Sequence, residues 1–315
     1  MNDSVKPCLE GPVSQRTGMR VVVVMPARNE EALISQSIAS IPEMVDWIVV
    51  VDDGSTDKTC QFSQSALGTR GEVVSTQGLG VGGAIEIGCK KALTRFDHNC
   101  VVVVMAGDGQ MDPRDLETVI QPVLDGRADH VKGNRWLHPE GPKGMPFIRR
   151  AGTWWLSRLT SLASGVRIRD SQCGYTATSA SMIAEWDWSR TWQGYGYPNW
   201  WLMEAGRRGF RIEEVPVRSI YANETSGIRI SRFLSSVSWM LWKGVWRRGI
   251  DWYVLGKDTN PLLKVVATSL WFGGWIALLF SLQQPALIVA APIAFVILAG
   301  LDYKESKRRR GYVTA

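Results

Sequence analysis

The sequence has little of what disulfide frameworks, zinc sites and histidine-based catalytic centres require. Its 315 residues include five cysteines and three histidines. The cysteines form no closely spaced pairs, which favours free thiols in a reducing compartment. His98, His130 and His138 also form no spaced pair, and we expect them on the surface or in loops. No basic segment followed by an apolar run opens the chain, so we expect no signal peptide and a flexible segment over residues 1–18.

Positive charge and tryptophan are plentiful, with a net charge of +6 and 15 tryptophans. A basic, tryptophan-rich chain suits either nucleic acid or an anionic membrane surface. Residues 262–282 carry Lys264 as their only charge, and residues 286–301 carry none. Two such apolar runs predict a transmembrane hairpin over residues 261–303, which favours a membrane and no nucleic acid as partner.

The segments on either side of this hairpin are basic. Lys304 and four further cations predict a cytoplasmic tail over residues 304–315, so two spans place both termini and the catalytic part in the cytoplasm. Residues 230–260 interleave tryptophans such as Trp239 and Trp242 with Arg247 and Arg248. This pattern suits a helix in the headgroup layer or one packed on the protein's own core, and we favour the first.

Three apolar, β-branched segments each end in polar residues. Residues 101–104 are valines, Gly107 breaks the strand, and Asp108 and Gln110 follow. Residues 48–51 precede Asp52 and Asp53, and residues 21–25 precede Pro26. Such strands predict a mostly parallel α/β sheet with a nucleotide pocket at one edge. Asp108 and Gln110 offer hard oxygen ligands for magnesium or manganese.

Other polar residues near these strands have simpler interpretations. Asp57 and Asp112 suit turn or helix caps, and Asp112 precedes Pro113 as an N-cap does. The glycine-rich segment 77–83 imitates a dinucleotide-binding loop, but the aspartates fit a sugar-nucleotide pattern better.

The motifs at 26–30 (Pro-Ala-Arg-Asn-Glu), 51–57 (Val-Asp-Asp-Gly-Ser-Thr-Asp) and 107–110 (Gly-Asp-Gly-Gln) resemble the signatures of inverting family-two glycosyltransferases. The nearest likeness is to the polyprenyl-phosphate branch, which includes dolichyl-phosphate mannose synthases. Further ordered matches lie at 80–85, 131–135, 170–175, 195–199, 214–217 and 226–229. The resemblance covers about residues 19–302 and implies a Rossmann-like GT-A catalytic domain over 19–229.

The resemblance also implies roles for individual residues. The nucleotide-sugar donor, a UDP- or GDP-sugar, would contact the strand ends, namely Pro26, Arg28, Glu30, Val51, Asp53 and Gly107. Asp108 and Gln110 would hold the divalent cation. Arg135 and Arg149 would orient phosphate together with Asp108 at the catalytic centre. The polyprenyl-phosphate acceptor, undecaprenyl or dolichyl phosphate, would meet Arg150, Asp170, Ser226 and Arg229. Asp170 could equally cap a turn.

The sequence departs from the branch pattern at three positions. Ala106, Thr176 and Trp200 stand where mannose synthases usually have aspartate, arginine and aspartate. A lipid phosphate is already ionised near neutral pH and needs no catalytic base, whereas a sugar hydroxyl does. We favour a polyprenyl-phosphate sugar synthase and keep two alternatives. One is a transferase that acts on a hydroxyl of a glycolipid or polysaccharide. The other is a catalytically silent membrane scaffold that keeps only the fold.

Overall fold

The computed structural model describes residues 18–220, 230–285 and 287–312. The strands are β1 (Arg20–Ala27), β2 (Trp47–Asp52), β3 (Gly71–Ser75), β4 (Cys100–Val104), β5 (His130–Asn134), β6 (Thr176–Ser179) and β7 (Ile212–Pro216). The α-helices are α1 (Ile34–Ala39), α2 (Thr59–Leu67), α3 (Val81–Phe96), α4 (Leu116–Leu124), α5 (Phe147–Ser164), α6 (Ala180–Ala184), α7 (Tyr197–Arg208), α8 (Ile230–Gly249), α9 (Pro261–Phe280) and α10 (Leu287–Tyr312). A π-helical segment, Ile250–Leu255, follows α8, and the short 3-10 helices are Pro113–Asp115 and Trp188–Arg190.

The seven strands form one mixed sheet in the order β3-β2-β1-β4-β6-β5-β7. Strands β3, β2, β1 and β4 are parallel, and β6 runs antiparallel to both β4 and β5. The valines of β1 and β4 are almost completely buried, as expected for parallel strands that are covered on both faces. The predicted α/β class with a mostly parallel sheet is confirmed.

The parallel strands bring the predicted site segments to one edge. Ala27, the last residue of β1, pairs with Asp52 at the end of β2, and Val24 pairs with Val104 at the end of β4. The segments after β1, β2 and β4 therefore leave the sheet side by side, at the edge where α/β proteins bind ligands.

The chain divides into two compact units that are interleaved in sequence. The sheet unit comprises residues 18–146, 173–197 and 213–220. The helical unit comprises residues 147–172, 198–212 and the described residues from 230 onward. The predicted boundary at residue 229 differs, because α5 and α7 pack on α8. Trp155 Nε1 donates to Ser238 Oγ at 3.0 Å, and Gly244 lies directly against Met203.

Helices α9 and α10 are long and apolar enough to cross a membrane. Only 11% and 6% of their most apolar stretches are buried, so they are not core helices of the helical unit. The described part of the predicted basic tail at 304–315 is helical, because α10 continues to Tyr312. Glu305 is buried there and accepts hydrogen bonds from Arg308 and Arg309, so these cations are paired within the fold.

Helix α8 combines the two alternatives that its sequence left open. Val237 and Leu241 are fully buried in the helical unit, whereas Trp239 is 60% exposed. One face of α8 therefore packs on the protein, and the other presents an aromatic side chain outward.

His130 corrects the expectation that the histidines lie on the surface or in loops. Its ring is buried in β5, and Nδ1 lies 2.9 Å from Thr178 Oγ1 on the neighbouring strand β6. Burial lowers the pKa of His130 to about 3, so the imidazole is neutral at physiological pH.

Candidate active site

Asp108 lies in a tight turn directly beyond β4. The Gly107 N–H donates to the Pro26 carbonyl at 3.2 Å, and the Gly107 carbonyl accepts from Ser37 Oγ at 2.9 Å. A Cβ on Gly107 would lie 2.7 Å from the terminal methyl group of Ile34, so a larger residue here would require Ile34 to move. The turn thus fixes partly exposed Asp108 beside the end of β1.

Asp108 also organises the residues that follow it. Its Oδ1 accepts a hydrogen bond from the Gln110 backbone N–H at 3.0 Å, and Gly109 has a positive φ of 70°. Asp112 caps the next 3-10 helix by accepting from the Arg114 N–H at 2.9 Å, which confirms its predicted cap role. Hydrogen bonding from the Arg114 side chain lowers the pKa of Asp112, which keeps this cap ionised.

Asp53 joins the end of β2 to the glycine-rich segment before α3. Its carboxylate is 4% exposed and accepts from Thr76 Oγ1 at 2.6 Å, Leu79 N at 2.6 Å and Gly80 N at 2.8 Å. Both carboxylate oxygens therefore hold the loop. The predicted direct contact of Asp53 with a nucleotide stays a prediction; in this structure the residue positions the loop beside the strand ends.

The glycine-rich loop also packs tightly against the backbone of residues 192–193, which leaves no room for side chains at two of its glycines. The Gly82 N–H donates to the Gln193 carbonyl at 2.8 Å. A Cβ on Gly80 would lie 2.5 Å from that same oxygen, and one on Gly82 would collide with the Trp192 carbonyl. The glycine pattern thus serves packing of the loop against residues 192–193, a contact that no local sequence signal indicates.

The remaining predicted donor residues line the same edge. Pro26 and Val51 are buried in their strands, and Arg28 is exposed. The Arg28 guanidinium lies close to Gly78, with Nη1 3.9 Å from the position that a Cβ on this glycine would occupy. The Glu30 backbone N–H donates to Thr59 Oγ1 at 2.7 Å, which ties the β1 loop to α2. Arg28 is thus placed next to the loop that Asp53 organises.

Tyr197 and Gly174 bring two further motifs to the Asp108 neighbourhood. The Tyr197 hydroxyl donates to the Gly174 carbonyl at 3.4 Å, and a Gly174 Cβ would lie 2.8 Å from the Met111 methyl group. Burial raises the pKa of the Tyr197 phenol, and nearby Cys173 and Asp108 raise it further. Tyr197 therefore stays protonated, and its hydroxyl holds the Gly174 backbone. It belongs to the 195–199 motif but was not singled out from sequence.

The predicted phosphate-binding arginines fall into different units. Arg135 directly follows β5 in the sheet unit and is partly exposed. Arg149 and Arg150 lie in the first turn of α5 in the helical unit, half-buried and exposed respectively. Ser226 and Arg229 lie outside the described residues.

The helical unit has a buried polar network at the 170–175 and 195–199 motifs. Asp170 is fully buried, and its Oδ1 accepts from the Gln172 N–H at 3.3 Å, which is the turn-capping alternative. Asn199 accepts from Gln172 Nε2 at 2.6 Å and donates to Thr160 Oγ1 at 2.8 Å. This network fixes the start of α7 through neutral amides and hydroxyls.

The oxygen ligands near Asp108 suit a cation that takes most of its ligands from water and from substrate phosphates. Within residues 18–220, 230–285 and 287–312, no group of three or more His, Cys, Asp or Glu side chains could hold a metal. Asp108 and Gln110 offer one carboxylate and one amide oxygen, because Ala106 supplies none. Magnesium typically keeps several waters and binds substrate phosphates through one or two protein carboxylates. The residues fit that mode.

These features define a glycosyltransferase of GT-A fold, and the chain belongs to glycosyl transferase family 2, whose family model matches residues 22–189. It is 30% identical over 217 residues to a UDP-N-acetylglucosamine–dolichyl-phosphate N-acetylglucosaminyltransferase of Methanococcus voltae, covering 64% of this chain and 86% of that protein. It is 26% identical over 195 residues to a dodecaprenyl-phosphate galacturonate synthase of Rhizobium johnstonii, covering 59% of this chain and 55% of that protein.

A solved structure with the same fold is the glucosyl-3-phosphoglycerate synthase of Mycobacterium tuberculosis in complex with Mn²⁺, UDP and phosphoglyceric acid. The TM-score is 0.55 at 22% identity, and the match covers 75% of this chain and 80% of that one. At this identity the likeness shows the fold, and it confirms the predicted GT-A architecture.

Proposed function

We propose that this glycosyltransferase moves one sugar from a UDP- or GDP-sugar to polyprenyl phosphate at the cytoplasmic face of a membrane. The observation that carries the proposal is the composition of the helical unit. This unit contains both α5, which bears Arg149 and Arg150, and the two apolar helices α9 and α10. If α5 binds phosphate, its place in the same unit as the two possible membrane-spanning helices suits an acceptor whose phosphate is attached to a lipid.

The exposed face of α5 supports this interpretation. Phe147 is 85% exposed, and Ile148 and Trp154 are 59% and 58% exposed. Arg150 and Arg158 are exposed on the same helix. Aromatic and aliphatic side chains interleaved with cations are typical of a helix that lies in the headgroup layer. We therefore place α5, together with the outer face of α8, at the membrane surface.

The reaction needs no proton acceptor if the nucleophile is a phosphate oxygen. A phosphate monoester has its second pKa near 6, so it is ionised at neutral pH. The described residues at the start of α7 agree with this, because Asn199 and Trp200 offer no carboxylate there. Arg135 and Arg149 are each proposed as a phosphate ligand, because the charge-assisted hydrogen bonds of a guanidinium group can orient a phosphate oxygen for attack on the anomeric carbon.

On the donor side, the Asp53-organised loop and Arg28 would bind the nucleotide, and Asp108 and Gln110 would hold the divalent cation. When bound, that cation would supply Lewis-acid stabilisation of the leaving diphosphate.

The test is a screen of radiolabelled UDP- and GDP-sugars with membranes that contain the full chain and either undecaprenyl or dolichyl phosphate. We expect one lipid product whose sugar is released by mild acid, as glycosyl phosphates are. The rate should fall as the pH drops through about 6, where the phosphate takes up its second proton. A product stable to mild acid would contradict the proposal and indicate a hydroxyl acceptor.

A further inference from the structure

The side chain of Met111 lies at the point where the pairing of β4 with β6 would continue. These strands are antiparallel, and their last pair is Val104 with Thr176. Two residues further along, the same register would set Ala106 opposite Gly174. The Met111 thioether occupies this place instead. Its sulfur accepts a hydrogen bond from the Ala106 N–H at 3.4 Å, and its methyl group lies 2.8 Å from the position that a Cβ on Gly174 would occupy.

The thioether completes the support of the backbone directly before Asp108. The N–H groups on either side of Ala106 donate to the β1 carbonyls of Val24 at 3.0 Å and Pro26 at 3.2 Å. Because consecutive N–H groups of an extended segment point to opposite sides, the Ala106 N–H points away from β1 and toward β6. Met111 supplies the acceptor on that side. This backbone is thus held by β1 on one side and by a side chain on the other.

The segment on the other side of the thioether is held by β5. The fully buried Lys132 donates through Nζ to the Cys173 carbonyl, and the Gly133 N–H donates to the Tyr175 carbonyl at 2.8 Å. Gly174 lies between these two anchored residues. The methyl group therefore packs against a fixed backbone, and we expect a change in the side chain to move the turn before Asp108 and not this segment.

The turn that carries Asp108 offers few ligands to a cation, so their placement matters. Ala106 supplies no carboxylate, which leaves Asp108 and Gln110 as the proposed protein ligands. Asp108 Oδ1 accepts a hydrogen bond from the Gln110 N–H at 3.0 Å, so the two residues move together. Groups that hold metal ligands in place commonly affect metal affinity without touching the metal.

We propose that Met111 is a positioning residue for the divalent cation. Its thioether holds the Ala106 backbone at the spacing from β6 that presents Asp108 and Gln110 to the cation. The inference rests on the proposed function, since it takes these two residues as the protein ligands. It assigns Met111 no contact with the cation, the donor or the acceptor.

Equilibrium dialysis of radiolabelled Mn²⁺ against the full chain in detergent tests this inference without any transfer reaction. UDP and GDP are supplied in parallel as the source of phosphate ligands. Met111→Leu keeps an apolar side chain but loses the acceptor, and we expect it to raise the Kd for Mn²⁺ by about five- to tenfold. Met111→Gln offers an oxygen acceptor and should bind Mn²⁺ about threefold more tightly than Met111→Leu.

A kinetic measurement distinguishes positioning from general damage to the fold. In sugar-transfer assays, Met111→Leu should raise the Mn²⁺ concentration for half-maximal rate by the same factor as the Kd. The rate at saturating Mn²⁺ should stay within about twofold of wild type, because the cation restores the turn once bound. Met44→Leu is the matched control, since Met44 is also a partly buried methionine packed against the sheet core. It should keep the wild-type Kd.

The outcomes separate this inference from the proposed function. Unchanged Mn²⁺ binding in Met111→Leu would overturn the inference, and so would binding by Met111→Gln that is no tighter than that of Met111→Leu. Mn²⁺ binding that survives in Asp108→Asn would overturn the inference together with the cation assignment. The expected pattern of Mn²⁺ binding without sugar transfer to polyprenyl phosphate would support the inference and contradict the proposed function.

Discussion

Asp53 Oδ2 accepts a hydrogen bond from the Gly80 backbone N–H at 2.8 Å. Gly80 is the residue before α3, with a φ of 84° that few side chains tolerate. This contact connects the end of β2 with the beginning of α3. It makes the shape of the glycine-rich loop depend on one buried carboxylate.

Asp53→Asn should therefore impair donor binding more than folding. Asparagine keeps one acceptor oxygen but faces the other backbone N–H with its own NH₂ group, so at least one loop contact is lost. Hydrogen bonds to charged groups contribute about 1.5–3 kcal/mol, which predicts a loss of about ten- to a hundredfold in kcat/KM for the nucleotide sugar. Asp125→Asn, at an exposed aspartate after α4, should stay near wild type. Equal losses in both variants would contradict the role of Asp53.

Asp108→Asn should abolish transfer while leaving the fold intact. The side chain is partly exposed and its turn is held by backbone contacts of Gly107, so we expect its charge to matter for the proposed cation and not for stability. Loss of metal-based charge stabilisation costs several kcal/mol in the transition state. Radiolabel transfer with saturating Mg²⁺ or Mn²⁺ measures the effect, and thermal unfolding checks the fold. Asp125→Asn, an exposed aspartate after α4, is the matched control, and normal turnover of Asp108→Asn would refute the metal assignment.

The strand ends could be predicted from sequence because their signals are local. The valine runs of β1 and β4 indicate buried parallel strands, and the polar residues at Asp53 and Asp108 follow them directly. The contacts between the site segments, in contrast, involve residues that are far apart in sequence. Gly82 meets Gln193 through a backbone hydrogen bond, and nothing in the glycine pattern itself names that partner.

The division into two units could not be predicted from sequence either, because it also depends on contacts between distant parts of the chain. The family resemblance indicates one catalytic domain, but α5 and α7 pack with the C-terminal helices. The Gly165 carbonyl, for example, accepts a hydrogen bond from Ser306 Oγ at 2.5 Å. His130 was misplaced because a single polar residue in a short strand carries no burial signal until its neighbour Thr178 is known.

Acid should destabilise the protein partly through His130. Its pKa is about 3 in the fold and near 6.5 when unfolded, so between these values the unfolded chain binds more protons. The stabilising contribution is complete above about pH 6.5 and declines toward pH 3, by about 1.4 kcal/mol per pH unit. Denaturant unfolding at several pH values should show a smaller slope for His130→Gln. His98→Asn, at an exposed position, should keep the wild-type slope.

The ion pair between Arg248 and Asp302 should support the helical unit. The two side chains are 6% and 19% exposed, so removing one leaves a buried charge without its partner. Asp302→Ala should therefore lower stability by about 3–5 kcal/mol, measured by unfolding in detergent. The double variant Arg248→Met/Asp302→Leu should recover much of that loss. Glu213→Ala, which breaks a more exposed pair with Arg127, should cost less than about 1 kcal/mol.

Arg135 and Arg149 test the mechanism without a catalytic base. If the nucleophile is a phosphate, Arg135→Ala and Arg149→Ala should each reduce transfer by about ten- to a hundredfold, because each removes a charge-assisted contact. Lysine should rescue only partly, since it keeps the charge but loses the two-pronged hydrogen bonding of guanidinium. Arg167→Ala, an exposed arginine after α5, controls for loss of positive charge. Full activity of both alanine variants would exclude these arginines as the acceptor-phosphate site and return the hydroxyl acceptor to consideration.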